Sequence, residues 1–284
     1  MVEYRVVIIS PDNYVHSACF REVAILLVSS FKSNGVYCDF TTNDFAKDRI
    51  NIVLGYHLLN KYYIQTEIIS KNIKYIPYQL EQLSADEFDF SEDIKFILQN
   101  GKSVWDYSKE NIALLKNNDI EAIYMPIGYR RELDNIKSIE DNKKDIDILF
   151  YGSIGKRRQD LLEILSKKYR VKVLFGIYGR KRDDFIARSK IVLNIHHYSS
   201  QMLEMVRISY LLSNKIFVIS EKSIDNPYDD IGILFVNYDG IIEKCEYYLK
   251  NDKLRERSRK TAYVKFKKKF PMELFIKKII KELN

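Results

Sequence analysis

The sequence predicts an α/β protein of two Rossmann-like domains, each built on a parallel sheet, with the sheets facing across a cleft. Three observations carry that expectation. Short apolar runs alternate with helical patterns along nearly the whole chain, the pattern of strands joined by crossover helices. A charged stretch without a sustained apolar period, 129–145, interrupts the alternation once and reads as a linker. The stretch 189–221, SKIVLNIHHYSSQMLEMVRISYLLSNKIFVISE, forms a strand–helix–strand unit by itself, its apolar runs suited to strands buried on both faces.

The first domain is taken as 1–128. Residues 5–10 (RVVIIS) are a buried strand, followed by a polar loop and a helix from 16 or 17 to Gly35, a plausible C′ glycine. No G-x-G-x-x-G follows that strand, so it lacks the dinucleotide fingerprint. Strands are expected at 36–40, 52–55, 73–78, 103–107 and 122–127. Helices are expected at 88–100, with Gly101 as its stop, and at 109–117, with Ser108 as N-cap. The second domain is taken as 146–284. Its strands are expected at 146–151, 171–175, 191–195, 216–219 and 233–236. Its helices are expected at 156–168, 182–188, the apolar stretch after 200, 241–250, and one or two more around Pro271.

With 284 residues there is material for two medium domains. A hydrophobic share of 46% and an aromatic share of 13% exclude a disordered chain. Cys19, Cys38 and Cys245 are scattered and lack metal-ligand spacing, which argues for a reducing compartment and against a zinc site or disulfide scaffold. No apolar run approaches the roughly 20 residues of a membrane span, and the first residues lack a basic signal-type region, so the expected location is cytoplasmic. The net charge of +7 is uneven: 250–284 hold thirteen Lys and Arg against four Asp and Glu. Such a tail attracts anionic lipid or nucleic acid, or is a plain solvated helical surface. The expectation is a weak, membrane-peripheral contact at most. Specific nucleic-acid binding is not expected, because aromatic residues hardly interleave the basic ones and no reading motif is present.

Within 189–221, Gln201, Glu204 and Arg207 fall three apart, as a polar stripe on the first two turns of an otherwise apolar helix. A buried helix carries Glu and Arg near its start only where something polar lies opposite. The loop before it, His196-His197-Tyr198-Ser199-Ser200, leaves the carboxyl end of a strand, where open α/β sheets bind ligands. It enters a helix N-terminus, which offers N–H groups to an anion. The stretch reads as half of a site for a phosphate-containing ligand. The plain alternative is an ordinary i,i+3 ion pair. Asp145-Ile146-Asp147 superficially fits a D-x-D metal motif but stands at the start of a strand, away from the carboxyl-end cleft, and is discounted.

Further residues suggest a family. The run Leu149-Phe150-Tyr151-Gly152-Ser153, with Lys156-Arg157-Arg158 and Asp160-Leu161-Leu162 after it, resembles the nucleotide-sugar-binding domain of GT-B glycosyltransferases. The Leu203-Glu204-x-x-Arg207 helix and the strand up to Glu221 are similar to that family's donor-binding helix and strand. The first half resembles the acceptor-side domain of small bacterial and viral members, through His16-Ser17-Ala18, Tyr78 to Leu83, Val104 to Ser108 and Pro126 to Tyr129.

The resemblance implies a sugar transferase using a nucleotide-diphosphate sugar as substrate, with no cofactor and no metal, in polysaccharide or glycoconjugate biosynthesis. It also implies that the last helix, about 272–284, crosses back to the first domain. The implied donor side is Gly152, Ser153, Arg157 or Arg158, Gly176, Tyr178, His196, Tyr198, Ser200 and Arg207. Arg157 fits one residue short of the usual spacing, so both arginines stay in play. Gln79, Glu81 and Asp106 are the expected acceptor side. His16, in the first β–α loop, is the candidate base, and Glu204 is the other candidate catalytic residue. Many retaining members carry a second glutamate after it; here Leu212 stands at that place. A catalytically inactive nucleotide-sugar or partner-binding module on the same fold is the alternative.

Overall fold

The alternating pattern resolves into two parallel sheets, one in each of two units, in a computed structural model that describes residues 2–83, 90–198 and 201–283. Unit 1 comprises Met1–Glu132 with Pro271–Asn284, and unit 2 comprises Leu133–Phe270.

In unit 1, β1 (Tyr4–Ile8) leads through a 3-10 turn (Val15–Phe20) into α1 (Arg21–Ser33), β2 (Cys38–Thr42) and β3 (Ile50–Leu54). A short α2 (Lys61–Tyr63) runs on as a π-helix over Ile64–Ile69. Then come β4 (Tyr75–Gln79), α3 (Glu92–Gln99), β5 (Trp105–Asp106), α4 (Lys109–Lys116) and β6 (Ile123–Tyr124). The sheet order is β2-β1-β3-β4-β5-β6. Ser108 caps α4 by accepting the Asn111 N–H at 3.3 Å, an arrangement generally worth about 1 kcal/mol. The sole Trp, Trp105, is fully buried core.

In unit 2, β7 (Ile146–Tyr151), α5 (Lys156–Ser166), β8 (Val171–Leu174), α6 (Gly179–Ala187), β9 (Ser189–Asn194), α7 (Met205–Ser213), β10 (Val218–Glu221), β11 (Leu234–Val236), α8 (Ile241–Leu249) and α9 (Asp252–Lys269) follow in turn. The order here is β11-β10-β9-β7-β8, all parallel. β9 is buried along almost its whole length, as a central strand under helices on both faces must be.

The last helix, α10 (Met272–Leu283), belongs to unit 1. Its apolar face, Met272, Ile276 and Ile279, is buried. The Glu273 carbonyl accepts from Asn34 at 2.9 Å, and its carboxylate pairs with Arg130 at 3.1 Å.

The structure refines three expectations. The boundary between the units, after Glu132, falls inside the charged stretch 129–145 expected as the linker. From Leu133 on it is tied into unit 2: the Asn214 side chain accepts the Asn135 and Ile136 N–H groups at 2.9 and 2.8 Å, Asp134 pairs with Lys215 at 2.6 Å, and Asp141 pairs with Arg255 at 2.8 Å. Asp134 and Asp141 thus pair with Lys215, just after α7, and with Arg255 of α9. The basic tail is likewise partly committed: Arg255 is 1% exposed, Arg259 and Lys260 pair with Glu256, and Lys269 pairs with Asp230. Finally, α7 starts at Met205, with Glu204 as its N-cap residue. Gln201 has φ 50°, and Met202 and Leu203 are buried outside the helix. Apolar residues packed in an irregular turn, with the Met205 N–H donating to the Leu203 carbonyl at 2.8 Å, imitated a helical period. Among the described residues, no helix is long and apolar enough to cross a membrane.

Candidate functional site

In unit 2 the chain steps from β7 to β8 on one side and to β9 on the other, so the order reverses between β7 and β9. The carboxyl ends at such a reversal are where open α/β sheets bind ligands. Gly152 follows β7 with φ 137°, and a Cβ there would lie 2.9 Å from the Arg207 guanidinium. Glycine is needed because an L side chain rarely takes that backbone angle, and because the arginine comes so close. The turn continues through exposed Ser153 to Gly155, the N-cap of α5, whose first N–H groups receive no side-chain cap.

Arg158, on the first turn of α5, is 3% exposed. Its Nε donates to the Ile195 carbonyl at 2.9 Å, its Nη1 to the Ser153 carbonyl at 2.9 Å and its Nη2 to Glu204 Oε1 at 2.8 Å. The other Glu204 oxygen pairs with Arg207, which also donates to Asn194 Oδ1 at 2.8 Å. Arg207 Nε is buried without a hydrogen-bond partner among the described residues. Burial pushes the Glu204 carboxyl up, but the guanidinium groups of Arg207 and Arg158 outweigh it and hold it below its ordinary value. Glu204 is therefore ionised, with both oxygens engaged. It positions two arginines, and neither oxygen is left open to act as a base.

Beside this cluster, Arg157 pairs with both oxygens of Glu221, with its guanidinium 3.8 Å from the centroid of the Tyr238 ring. Its charge is thus committed within the protein, whereas that of Arg207 is shared and partly open. His196 is 1% exposed; its N–H donates to Glu221 at 3.0 Å and its Nε2 faces the Lys222 carbonyl at 2.9 Å. A ring nitrogen against a carbonyl carries the proton, which leaves Nδ1 as a bare acceptor. Nδ1 is buried without a hydrogen-bond partner among the described residues. Burial holds the ring's pKa below its usual value, despite the Glu204 and Glu221 carboxylates.

The structure thus brings Gly152, Ser153, Arg158, Glu204 and Arg207 into one bonded cluster, with Arg157 and His196 next to it. Gly176 and Tyr178 stand at the carboxyl end of the edge strand β8, one strand removed. Tyr198 lies with its ring centroid 4.9 Å from that of His197, and Ser200 falls outside the described residues. Asp145 and Asp147 sit at the amino end of β7, paired with Arg188 and with Arg170 and Lys190.

In unit 1 the order reverses between β1 and β3. His16 is half-buried in the 3-10 turn after β1, its ring 5.3 Å from that of Tyr14. Of the expected acceptor residues, only Glu81 is partly exposed. Gln79 and Asp106 are fully buried, which corrects their assignment: neither can touch an acceptor, and both hold backbone in place. Sequence reasoning missed Asn194 and Glu221, each the polar last residue of an apolar strand, a signal that was there to read.

Once geometry is in view, comparison with known proteins fixes the class of fold. The chain has the two-sheet α/β fold of GT-B glycosyltransferases, seen in solved structures that share little sequence with it. An alpha-glucosyltransferase solved with UDP and a mismatched DNA 13-mer superimposes with TM-score 0.64 at 8% identity, covering 99% of both chains. Sucrose-phosphate synthase from Thermosynechococcus elongatus gives 0.60 at 11%, also covering 99% of both. A variant of TarM from S. aureus, solved with Fondaparinux, alpha-GlcNAc-glycerol and UDP, gives 0.60 at 16%, over 96% of this chain and 59% of that one.

The chain belongs to the same family as the uncharacterized protein R358 of Acanthamoeba polyphaga mimivirus, with 33% identity over 245 residues, 81% of this chain and 83% of that protein. A second uncharacterized mimivirus protein, L137, is 30% identical over 194 residues, and the match spans only 25% of its length. No family model matches.

Proposed function

We propose that the protein is a glycosyltransferase of the hexosyl- or pentosyltransferase class, moving a sugar from a nucleotide-diphosphate sugar to a hydroxyl of a sugar or glycoconjugate acceptor without a metal ion. The observation that carries this reading is the Arg207 guanidinium. It ends at the strand reversal of unit 2 beside the Gly152 turn, with its Nε buried and without a hydrogen-bond partner among the described residues. Arg158 and Arg207 together outnumber the single Glu204 carboxylate between them, so the cluster carries an excess positive charge. The uncapped N–H groups of α5 lie just after the same glycine turn, and such groups favour phosphate. As the sugar transfers, negative charge grows on the departing diphosphate, and fixed cations and N–H groups aimed there lower the barrier.

Neighbours of the same fold are solved with UDP, which makes UDP-linked sugars the first donors to try. A thermal-shift screen of UDP-, GDP-, ADP-, CMP- and TDP-sugars tests the reading. A ligand at 100 times its Kd stabilises by about 2.7 kcal/mol, and no shift with any of them would sink it. Turnover is expected to persist in EDTA; loss restored only by Mn²⁺ or Mg²⁺ would overturn the metal-free part. The engagement of both Glu204 oxygens favours one second reading, a nucleotide-sugar-binding module without turnover. Donor binding with no sugar released or transferred would select it.

A further inference from the structure

The unit 2 cluster leaves one feature of the sequence unused, the basic run after residue 250. α9 carries most of it, and the helix sorts its residues onto two faces. Arg255, Ala262 and Phe266 are buried. Arg255 donates to Asp141 at 2.8 Å, and the Phe266 ring centroid lies 5.4 Å from that of Tyr228, so this face holds α9 to the rest of unit 2. With about 3.6 residues to a turn, Lys253, Arg257, Lys260, Val264 and Lys268 form one row on the opposite face. All five are exposed, Val264 by 60%. At about 1.5 Å per residue the row is about 22 Å long.

The charge of this row is largely unspent. Lys253, Arg257 and Lys268 have no carboxylate within ion-pair distance among the described residues. Lys260 shares Glu256 with Arg259, and the other acidic residue of the helix, Asp252, pairs with Arg255. Lys265 and Lys269 are committed elsewhere, to the Asp230 carbonyl at 3.2 Å and to its carboxylate. Lys253 and Arg257 are like charges four apart, and Arg257 and Lys260 three apart, spacings that weaken a helix in water. An anionic surface laid along the row turns that repulsion into attraction.

The aromatic residues of α9 point to the kind of surface. Tyr263 donates to Asp134 at 3.3 Å, with Lys215 Nζ 4.4 Å from its ring centroid, and Phe266 is fully buried. The row therefore presents no ring on which a base could stack, and three of its four cations are lysines, without the planar fork that reads base edges. Val264, in the middle, offers nothing to a phosphate backbone but is readily accommodated among lipid headgroups. We propose that the outward face of α9, through Lys253, Arg257, Lys260 and Lys268, binds the anionic headgroups of a lipid bilayer. The contact is electrostatic and reversible, because the apolar face of the helix is already buried in unit 2 and is not free to insert. Each cation near such a surface strengthens binding by about fivefold, and salt screens the attraction. The contact involves unit 2 alone and does not depend on whether the cluster around Glu204 binds a donor.

The test sediments the full-length protein with vesicles of phosphatidylcholine alone, and with vesicles in which phosphatidylserine is about a third of the lipid, at about 50 and about 300 mM salt. A short DNA duplex is titrated in parallel. Wild type is expected to sediment with the anionic vesicles only, and to lose about tenfold or more in affinity at the higher salt. The triple variant Lys253→Gln, Arg257→Gln, Lys268→Gln should bind about 10²-fold more weakly. A control with the same change in net charge at three exposed lysines of unit 1, Lys47→Gln, Lys102→Gln, Lys116→Gln, should stay within about threefold of wild type. If the first triple variant fails to fold, Arg257→Gln and Lys268→Gln made singly decide, each expected to cost about fivefold. The proposal is overturned by equal sedimentation with neutral vesicles, by no sedimentation with anionic ones, or by a control that loses as much as the α9 variant. Tighter binding to the duplex than to anionic vesicles, lost in the α9 variant, would assign the row to nucleic acid instead.

Discussion

The two units place polar chemistry at the same topological position, but build it from different materials. At the strand reversal of unit 2, charge is set against charge: Arg158 and Arg207 close on Glu204, and Arg157 closes on Glu221. At that of unit 1, neutral amides do the holding: Gln79 and Asn111 fix one loop, and His57 faces Glu81. Arginines in a poorly solvated site keep a strong local field, which suits a ligand that arrives charged and leaves more so. Amides impose position with little field. The difference sets a charged network at the strand ends of unit 2 against a largely neutral scaffold at those of unit 1.

The comparison breaks most visibly at Arg158. Arg158→Met leaves Glu204 short of a partner in a buried setting, for which the usual cost is about 3–5 kcal/mol. Urea unfolding should show that loss, and adding Glu204→Gln should recover part of it. A loss under about 1 kcal/mol, typical of exposed pairs, would make the unit 2 network ordinary surface charge. Next comes Arg207→Ala, expected to weaken nucleotide-sugar binding by about 1.5–3 kcal/mol. Arg207→Lys should rescue only part, because an ammonium lacks the planar fork. Calorimetry with the donor found by the thermal-shift screen decides, and equal affinities in all three proteins would remove Arg207 from the site. In unit 1, Asn111→Ala strands the Leu83 N–H and leaves the Glu81 carbonyl to Gln79 alone. Its expected cost is about 1–3 kcal/mol with nucleotide affinity unchanged, because the unit 2 cluster is not touched.

The contrast also explains what could be read in advance. Fold class follows from the backbone's needs: buried strands such as 146–151 must be apolar throughout, so their boundaries show in the sequence, and β7 matches its expected span. The π-helical turn at Ile64–Ile69 went unread, because KYYIQTEII fits neither a strand nor a 3.6-residue period cleanly. Of the unit 2 cluster, Gly152 and Arg207 were legible as residue types out of place in their surroundings. Whether Arg157 or Arg158 would turn inward was not, since neighbours on a helix differ by about 100° in direction and only Glu204 and the Ile195 carbonyl decide it. In unit 1, buried Gln79 and Asp106 looked like ligand contacts because a polar residue at a strand end gives no sign of which way its partners lie.

The smallest effect separates the two units by pH. His57 and His196 both have pKa values held below the ordinary 6.5 by burial. The unfolded chain therefore takes up protons on these rings before the native protein does, so falling pH favours unfolding. Stability from the neutral rings is complete above about pH 6.5 and is lost as pH falls through the native values. Glu204 acts in a separate window: its pKa is lowered from 4.5, so its contribution survives the histidine range and is lost only in stronger acid. Unfolding free energy should be flat from about pH 8 to 7, fall through the histidine range, and fall again below about pH 4. His57→Gln and His196→Gln should each flatten the first fall and leave the second in place. Arg207→Ala should do the reverse, because it raises the Glu204 carboxyl toward its ordinary value and touches neither ring. If both histidine variants kept the wild-type slope, burial at those rings would not be what sets their protonation.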